Sequence, residues 1–194
     1  MLQLRTYVKS DAETIISWVA DERTCYMWSA GRFGQYPITP RDINRNYDGF
    51  ETSNDFFPYT AVDDGKVIGH LIMRYPNPED RSMIRFGFVI VDYLKRGRGY
   101  GARMLNEALR VAFDERGAEK VTLGVFRDNV PAALCYLSVG FHTPTDDATP
   151  KEEIHTVFGN DLVCVNLEIT REEFLRKQEA EAEMAPSENV TKED

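Results

Sequence analysis

The sequence predicts an α/β (α+β) fold built on a mixed sheet, and three observations lead to that prediction. Segments with strand and helix periodicity follow one another in the order strand, helices, hairpin, central strand, helix, strand, helix, hairpin. Residues 83–91 are apolar on both alternating faces, which is typical of a central strand covered on both sides. The glycine-containing segment 97–101 runs directly into an amphipathic helix, as expected of a crossover between two strands of one sheet.

The N-terminal region predicts one strand followed by helices. Residues 2–7 alternate like a short strand, and residues 10–13 have the pattern of a capping box. The helix that this box opens should bury Ile15, Ile16, Trp18 and Val19. Residues 21–56 mix aromatic side chains with glycines, and residues 39–42 predict another capped helix with proline in its first turn. This region is either a lid that faces a substrate or a helix–loop–helix that covers one face of the sheet.

The middle of the chain predicts a hairpin and then the central strand. Residues 57–62 and 66–75 are strand-like and flank the turn sequence Asp-Asp-Gly at 63–65. After a proline-containing loop comes the central strand, 83–91. Gly87 inside it indicates a bulge or a close approach of another chain segment.

The remaining elements alternate between helix and strand. Apolar residues at helical spacing follow the glycine segment and predict a helix that ends near Gly117; they are Ala102, Leu105, Ala108, Leu109, Ala112 and Phe113. Residues 120–126 predict a strand, and a short helix with Pro131 in its first turn ends at Gly140. A loop at 143–150 precedes a final hairpin. The hairpin comprises strands at 154–158 and 162–169 and a turn at 159–161.

Length and composition predict one domain, residues 1–170, with an acidic C-terminal segment at 171–194. A chain of 194 residues, 42% of them hydrophobic, is long enough to bury one core. Beyond residue 171 glutamates are frequent and aromatic residues are almost absent. We therefore expect residues 178–194 to form a frayed helix and a partly disordered tail.

Charge and composition exclude several classes of function. The net charge of −9 argues against general nucleic-acid binding. The chain has neither an apolar run of membrane-spanning length nor a signal-peptide pattern, which predicts a soluble, cytoplasmic protein with no membrane partner. The spacing of Cys25, Cys135 and Cys164 predicts neither a metal site nor a disulfide framework. The apolar surroundings of Cys135 and Cys164 are typical of buried thiols.

The segment Arg96-Gly97-Arg98-Gly99-Tyr100-Gly101 is the best candidate for a binding site. Its glycines lie between a strand and a helix, where backbone N–H groups and the helix N-terminus attract anions. From position 95 to 110 only Glu107 is acidic, whereas the basic residues are Lys95, Arg96, Arg98, Arg103 and Arg110. An anion site fits this pattern better than a solvated basic face. A tight turn that needs glycine for positive φ is a further alternative, and the spacing matches neither a dinucleotide fingerprint nor a P-loop.

Together with a second segment, the glycine segment resembles the acetyl-CoA-binding signature of the GNAT superfamily of N-acetyltransferases. The family pattern Gln/Arg-x-x-Gly-x-Gly/Ala after an apolar strand is filled by residues 96–101. The second pattern, Asn-x-x-Ala-x-x-x-Tyr-x-x-x-Gly-Phe, is complete in Asn129, Ala132, Tyr136, Gly140 and Phe141. The resemblance implies a mostly antiparallel central sheet, splayed between the strands at 83–91 and 120–126.

The resemblance also implies how acetyl-CoA is held. The amides of Gly97, Arg98, Gly99, Tyr100 and Gly101 would bind the pyrophosphate, and Lys95, Arg96 or Arg98 would pair with phosphates. The backbone of Val89, Ile90 and Val91 would bind the pantetheine arm, and one N–H there could polarise the thioester carbonyl.

For the chemistry, the resemblance assigns Tyr136 as general acid for the leaving thiolate and Asn129 as a ligand of the pantetheine arm. The alternative for Tyr136 is a tyrosine that packs in the core. The alternative for Asn129 is a helix N-cap, a role that does not exclude ligand binding. The general base is unassigned. Family members commonly carry a glutamate at one of two positions, and in this sequence those positions are Gly124 and the segment around Arg85. The remaining hypothesis is a base that acts through a water molecule, and the candidates are Glu22, Asp92 and Asp128. The three histidines, His70, His142 and His155, share no spacing and are interpreted as structural.

The resulting hypothesis is an acetyl-CoA-dependent N-acetyltransferase that acts on a primary amine of a small molecule or of a peptide or protein. The absence of an obvious base motivates a second hypothesis, a non-catalytic acyl-CoA-binding regulatory domain. A nucleotide-binding module is a third. A homodimer is possible by the same resemblance, and the sequence does not identify the acceptor.

Overall fold

One seven-stranded sheet organises residues 1–50, 52–146 and 149–184, the part of the chain that the computed structural model describes. The strand order is β1-β2-β3-β4-β5-β7-β6. Only the β4–β5 pair is parallel, and the other pairs are antiparallel. The strands are β1 (Gln3–Thr6), β2 (Phe56–Asp63), β3 (Lys66–Arg74), β4 (Met83–Val91), β5 (Lys120–Phe126), β6 (Glu152–Val157) and β7 (Asn160–Thr170).

Helices cover both faces of the sheet, which confirms the α/β prediction. The helices are α1 (Asp11–Ile16), α2 (Glu22–Ser29), α3 (Pro40–Tyr47), α4 (Tyr100–Arg110), α5 (Val130–Val139) and α6 (Arg171–Met184). Side chains of α4, α5 and α6 pack on one face in a large apolar cluster that includes Leu105, Val139 and Phe174. Side chains of α1, α2 and α3 form a second cluster on the opposite face, around Ile15 and Ile43. We call the first the α4 face and the second the α2 face.

Strands β4 and β5 separate after a short parallel ladder. The ladder holds three residue pairs, from Met83 opposite Lys120 to Arg85 opposite Thr122. Beyond these pairs, the remainder of the two strands has no shared register. The predicted mixed, mostly antiparallel and splayed sheet is thereby confirmed, and the separated strands open a gap through its centre.

The backbone of β4 is distorted at the place where the strands separate. Phe88 has φ +49°, and the register of β3 against β4 shifts between His70 and Ile72. A Cβ on Gly87 would lie 3.2 Å from the side chain of Ile72, so the expected close approach at this glycine is present. The Trp28 indole N–H donates a 2.7 Å hydrogen bond to the Phe88 carbonyl, which ties α2 to the distorted strand.

The predicted capping box at residues 10–13 is wrong. Ser10 has helical backbone angles and its side chain makes no capping hydrogen bond. The acid beside it has another role, because Asp11 is buried and accepts two hydrogen bonds from Arg5 and one from Thr60. The capping box at Thr39 is present, with Asp42 as its acidic partner.

One predicted boundary shifts, and the predicted end of a helix near Gly117 is confirmed. The last hairpin turns at Phe158 and Gly159, both with positive φ, one residue before the predicted turn, and β7 begins at Asn160. The helix after the glycine segment begins at Tyr100 and continues beyond Arg110 as one wider turn, Val111–Glu115. The predicted hairpin of β2 and β3 and the strand β5 lie where the sequence placed them.

The C-terminal segment is helical to Met184. Phe174 of α6 is buried and packs against Phe113, so this helix is anchored to the core. Of the frayed helix and tail expected at 178–194, residues 178–184 belong to α6, and residues 185–194 lie outside the described residues. Among the described helices, none is both long enough and apolar enough to cross a membrane.

Candidate active site

A cavity of about 730 Å³ lies between the separated strands, the N-terminus of α4 and the start of α5. Its wall contains nearly all of the residues that the sequence singled out, namely Val89, Ile90, Val91, Arg96, Gly97, Gly99, Tyr100, Gly101, Asn129 and Tyr136. Arg98 is the exception, since its side chain is exposed and the residue is not part of the wall. The fold therefore brings two distant sequence motifs to one cavity.

Backbone groups of β4 form one side of the cavity. The ladder with β5 ends at Arg85, so Val89, Ile90 and Val91 have no strand partner on the β5 side. On the other side, β3 remains paired with β4 as far as Val91. A ligand that enters the gap therefore meets an open strand edge, which offers both N–H donors and carbonyl acceptors.

Glycines form the end of the cavity at the start of α4. Gly97 and Gly99 have φ of +72° and +76°, a conformation that other residues adopt at a cost. Gly99 is the N-cap of α4, and the first turn of this helix contains no acidic residue. The unpaired N–H groups and the positive end of the helix dipole together favour an anion here.

Gly101 has a different role from Gly97 and Gly99. Its φ is not positive, but a Cβ at this position would lie 3.0 Å from the Cys135 sulfur. Glycine thus lets α4 and α5 approach closely at the cavity wall. Cys135 is only partly buried and lines the cavity, which corrects its interpretation as a fully buried thiol.

Tyr100 fixes the start of α4 to the sheet. Its hydroxyl donates a 3.0 Å hydrogen bond to Asp63 at the end of β2. The cationic groups of Lys95 and Arg103 each lie 5.0 Å from the centre of its ring. Tyr100 therefore holds the glycine segment in place and gathers positive charge beside it.

Tyr136 reaches the cavity from α5. It is 6% exposed and its ring packs edge-on against Phe141. Burial raises the pKa of Tyr136 above its usual value of 10, with smaller contributions from Cys135 and Cys164. The hydroxyl therefore stays protonated over the whole physiological pH range and is available as a proton donor. The tyrosine is at once part of the core and part of the cavity wall.

Asn129 occupies the N-cap position of α5, but its side chain makes no capping hydrogen bond. The alternative interpretation is thus correct in placing Asn129 at the N-cap, but its side chain does not cap the helix. The residue also lines the cavity, so its amide is available to a ligand.

Helix α2 supplies a wall that sequence reasoning did not assign to the site. Arg23, Thr24, Met27 and Trp28 line the cavity from the α2 face. The interpretation of residues 21–56 as a cover for one sheet face is correct for α2, which also faces the cavity, and a lid that faces a substrate stays a prediction. The only signal in the sequence for this wall was the aromatic and glycine-rich composition, and composition does not indicate which part of the molecule these residues contact.

The candidate bases lie in different surroundings. Asp128 lines the cavity and lies 3.9 Å from Arg23, Glu22 accepts a hydrogen bond from Tyr26, and Asp92 accepts one from the Leu94 amide. At the position of Gly124, a Cβ would lie 2.8 Å from an Arg85 nitrogen, so an arginine fills the space where a glutamate would project.

The three histidines have separate environments. His70 is fully buried, and its Nε2 lies 2.7 Å from the Tyr47 hydroxyl. Burial lowers the pKa of His70 to about 3. His142 lies 3.0 Å from a Glu173 oxygen, and His155 lies 3.5 Å from Glu153. None of the three lines the cavity.

A second cavity, of about 290 Å³, lies between β1, β2 and α3. Its wall includes Tyr7, Asn44, Tyr47 and Arg116. None of the residues assigned from the two sequence motifs belongs to it. The larger cavity is therefore the candidate active site.

Comparison with known proteins identifies the family of the chain. The model of the acetyltransferase (GNAT) family matches residues 15–141, which contain both motifs. The chain belongs to the GNAT family. L-amino acid N-acetyltransferase AaaT of Escherichia coli is 30% identical to this GNAT protein over 81 residues, which make up 42% of the chain and 50% of that relative. The chain thus matches about half the length of this relative.

Solved structures of GNAT proteins have the same fold. A spermidine N-acetyltransferase from Vibrio cholerae in complex with CoA and spermine superposes with a TM-score of 0.73 at 19% identity, covering 90% of this chain and 98% of that one. An aminoglycoside acetyltransferase in complex with coenzyme A gives a TM-score of 0.69 at 18% identity, covering 92% and 99%. The fold predicted from the resemblance is confirmed.

Proposed function

We propose that the protein is an acetyl-CoA-dependent N-acetyltransferase that transfers an acetyl group to the primary amine of a small molecule, peptide or protein. The observation that carries the proposal is the cavity, in which an open strand edge, a glycine-lined helix N-terminus and a buried, protonated tyrosine meet. These three features match the backbone, pyrophosphate and sulfur of an acyl-CoA.

In the proposed reaction the deprotonated amine attacks the thioester carbonyl carbon. The C–N bond forms as the C–S bond breaks, the amine loses a proton and the CoA sulfur gains one. Tyr136 would act as the general acid, because burial keeps its hydroxyl protonated at pH values where the amine is free. An N–H of the β4 edge would bind the carbonyl oxygen as negative charge develops.

The cofactor contacts follow from the wall of the cavity. Val89, Ile90 and Val91 would hold the pantetheine arm, with the Asn129 amide as a further ligand. The amides of residues 97–101 would bind the pyrophosphate. Arg96 would reach a phosphate from the wall, whereas the exposed Arg98 would contribute long-range attraction.

The named relatives support an amine as acceptor. Their names assign L-amino acids, spermidine and aminoglycosides as substrates of those proteins, and all of these carry a primary amine. The primary amine is the shared group, so we assign it, and no particular molecule, as the acceptor.

The test combines thiol release with mass spectrometry of the acceptor. Amino acids, short peptides, polyamines and aminoglycosides are supplied with acetyl-CoA, and CoA release is followed together with a 42 Da gain in one acceptor. We expect one class to be acetylated and acetyl-CoA to raise the melting temperature.

Stabilisation by acetyl-CoA without turnover of any acceptor would contradict catalysis and support the acyl-CoA-binding regulatory domain. Stabilisation by ATP or NAD but not by CoA would contradict the donor assignment.

A further inference from the structure

Two arginines face each other across neighbouring strands at the point where β4 and β5 begin to separate. Arg74 of β3 lies directly opposite Arg85 of β4 in the antiparallel ladder. Both alternate with residues of the α4-face cluster, Met73 on one strand and Ile84 on the other, so both project from the α2 face. Like charges directly opposite each other in a sheet are destabilising, which indicates that this pair serves another purpose.

The positive charge of Arg74 is uncompensated within the described part of the chain. Arg74 is partly buried, and no carboxylate of the described residues lies within ion-pair distance. Burial lowers the pKa of Arg74, and the neighbouring charges of Arg85 and Arg32 lower it further. Some other arginines near the sheet are paired with a carboxylate, as Arg127 is with Glu152 at 2.6 Å.

Arg85 is held in place by a neutral partner. Its Nη2 donates a 2.8 Å hydrogen bond to the side-chain oxygen of Asn166, a residue that is 1% exposed. The same guanidinium lies over Gly124, where any larger side chain would displace it. An amide partner orients an arginine without neutralising it, so the charge remains available to a ligand.

Arg32 adds a third positive charge from above the sheet. It is exposed in the turn after α2, next to the buried Phe33, whose ring packs on Trp28. Trp28 in turn lines the active-site cavity. The charges of Arg32 and Arg85 both act on Arg74, so the three arginines form one positive cluster on the α2 face. None of the three belongs to the cavity wall, but Arg85 forms the last pair of the β4–β5 ladder and therefore lies at the closed end of the gap.

The location of this cluster relates it to the second substrate. The glycine segment and α5 occupy the opposite part of the cavity, where the proposed donor binds. An amine that attacks a thioester in the gap has to approach from the side that the donor leaves free, which is the α2 face.

We infer that the acceptor carries an anionic group, a carboxylate close to its amine, which the cluster of Arg32, Arg74 and Arg85 binds. The inference rests on the proposed function and narrows its acceptor class. A guanidinium group is a planar, bidentate donor of the kind that recognises carboxylates, and Arg74 and Arg85 supply two of them. A polyamine or another purely cationic acceptor would be repelled by the same three charges.

The first test uses the wild-type protein and acceptors in matched sets. Each set contains an amino acid, its α-amide and the amine that lacks the carboxyl group, with aliphatic, aromatic and basic side chains represented, and a dipeptide with its amide. We expect kcat/KM with acetyl-CoA to be at least tenfold higher for the acid than for the amide in the preferred set. The amide has the less basic amine, so amine deprotonation cannot account for that order.

The second test removes the charge. Arg74→Met should lower kcat/KM for the acid about tenfold to a hundredfold and change that for the amide less than twofold. Arg74→Lys should restore part of the loss. Arg41→Met, at an exposed position of α3, is the matched control and should leave the acid-to-amide ratio unchanged. The melting temperature of Arg74→Met should not fall, because one of two opposed charges is gone.

Preferred turnover of amides, amines or polyamines over the acids would overturn the inference and leave the N-acetyltransferase assignment intact. An unchanged acid-to-amide ratio in a folded Arg74→Met protein would also overturn it. If polyamines or aminoglycosides are acetylated and no member of the matched sets is, only the inference fails; if none of these acceptors is acetylated, both proposals fail together. If Arg74→Met does not fold, the ratio measured on the wild-type protein decides.

Discussion

The proposed donor side of the cavity and the proposed acceptor side next to it would recognise their ligands by different means. On the donor side, the glycine segment and the edge of β4 offer backbone groups, and the basic side chains nearby are exposed or lie at the rim. On the acceptor side, Arg74 and Arg85 project from the interior of strands and are partly buried. The first arrangement suits a ligand common to a whole family, and the second suits one substrate.

The two kinds of recognition also differ in what they require of the amino-acid sequence. Backbone recognition requires glycine at fixed positions, because only glycine adopts the conformations of Gly97 and Gly99 at low cost. Side-chain recognition requires only that residues from different strands lie close together in the fold, so it imposes no fixed spacing between them along the sequence.

Tyr136 lies where the two sides meet, and removing its hydroxyl should have the largest effect. Tyr136→Phe should lower kcat about a hundredfold, because the leaving thiolate loses its proton donor. The KM for acetyl-CoA should change little, since the ring and its packing on Phe141 remain. Steady-state kinetics checks this, and an unchanged kcat would remove the general-acid role.

The pKa of His70 provides a test of whether the apolar cluster on the α2 face excludes water. Its folded pKa of about 3 lies below the unfolded value of 6.5, so the unfolded chain binds the proton more readily. The stabilisation is therefore complete above pH 6.5 and is lost as the pH falls towards 3. At pH 5 the loss amounts to about 2 kcal/mol.

Urea unfolding of wild-type protein and His70→Gln at pH 7.5 and pH 5 measures this loss. The wild-type protein should lose about 2 kcal/mol more than the variant, whose side chain does not titrate. His155→Gln, at a histidine outside the two main clusters, should behave like wild type. Equal losses in wild type and His70→Gln would contradict a buried, neutral His70.

The two ends of α4 provide a matched pair for the donor side. Gly99 precedes the helix and Gly117 follows its last turn, both have positive φ, and both have open space around them. Valine at either position should cost about 1–2 kcal/mol of backbone strain. Only Gly99→Val should weaken CoA binding, by about tenfold, as measured by calorimetry. A similar loss in Gly117→Val would mean that strain in α4, and not the phosphate site, controls affinity.

The smallest expected effect is a difference in CoA affinity between substitutions of Arg96 and of Arg98. Arg96→Gln should weaken CoA binding about threefold to fivefold, because a solvated ion pair contributes up to about 1 kcal/mol. Arg98→Gln should change affinity less than twofold, since the residue lies outside the cavity wall. The reverse order in calorimetry would show that the loop rearranges when CoA binds.

The sequence indicated the residues of the proposed donor side and did not indicate those of the proposed acceptor side, for one physical reason. Gly97, Gly99 and Tyr136 lie in two short, continuous motifs, and the fold brings both motifs to one cavity. The pairing of Arg74 with Arg85 depends on the register of β3 against β4, which no local pattern specifies.

The errors have the same origin. The capping box at Ser10 failed because Asp11 is bound by Arg5 and Thr60, and Thr60 is distant in sequence. The hairpin turn shifted to Phe158 because this non-glycine residue takes a positive φ beside Gly159. In both places a tertiary contact or an uncommon backbone conformation outweighed the local preference.

The three residue pairs that join β4 to β5 leave the sheet as two halves, and this has a consequence for the protein in a cell. A donor bound in the gap, as proposed, would contact both halves, so its concentration would add to folding stability by mass action. At a free donor concentration about 100 times Kd, the gain would be about 2.7 kcal/mol. The donor-bound protein should therefore unfold, and be degraded, more slowly than the free protein.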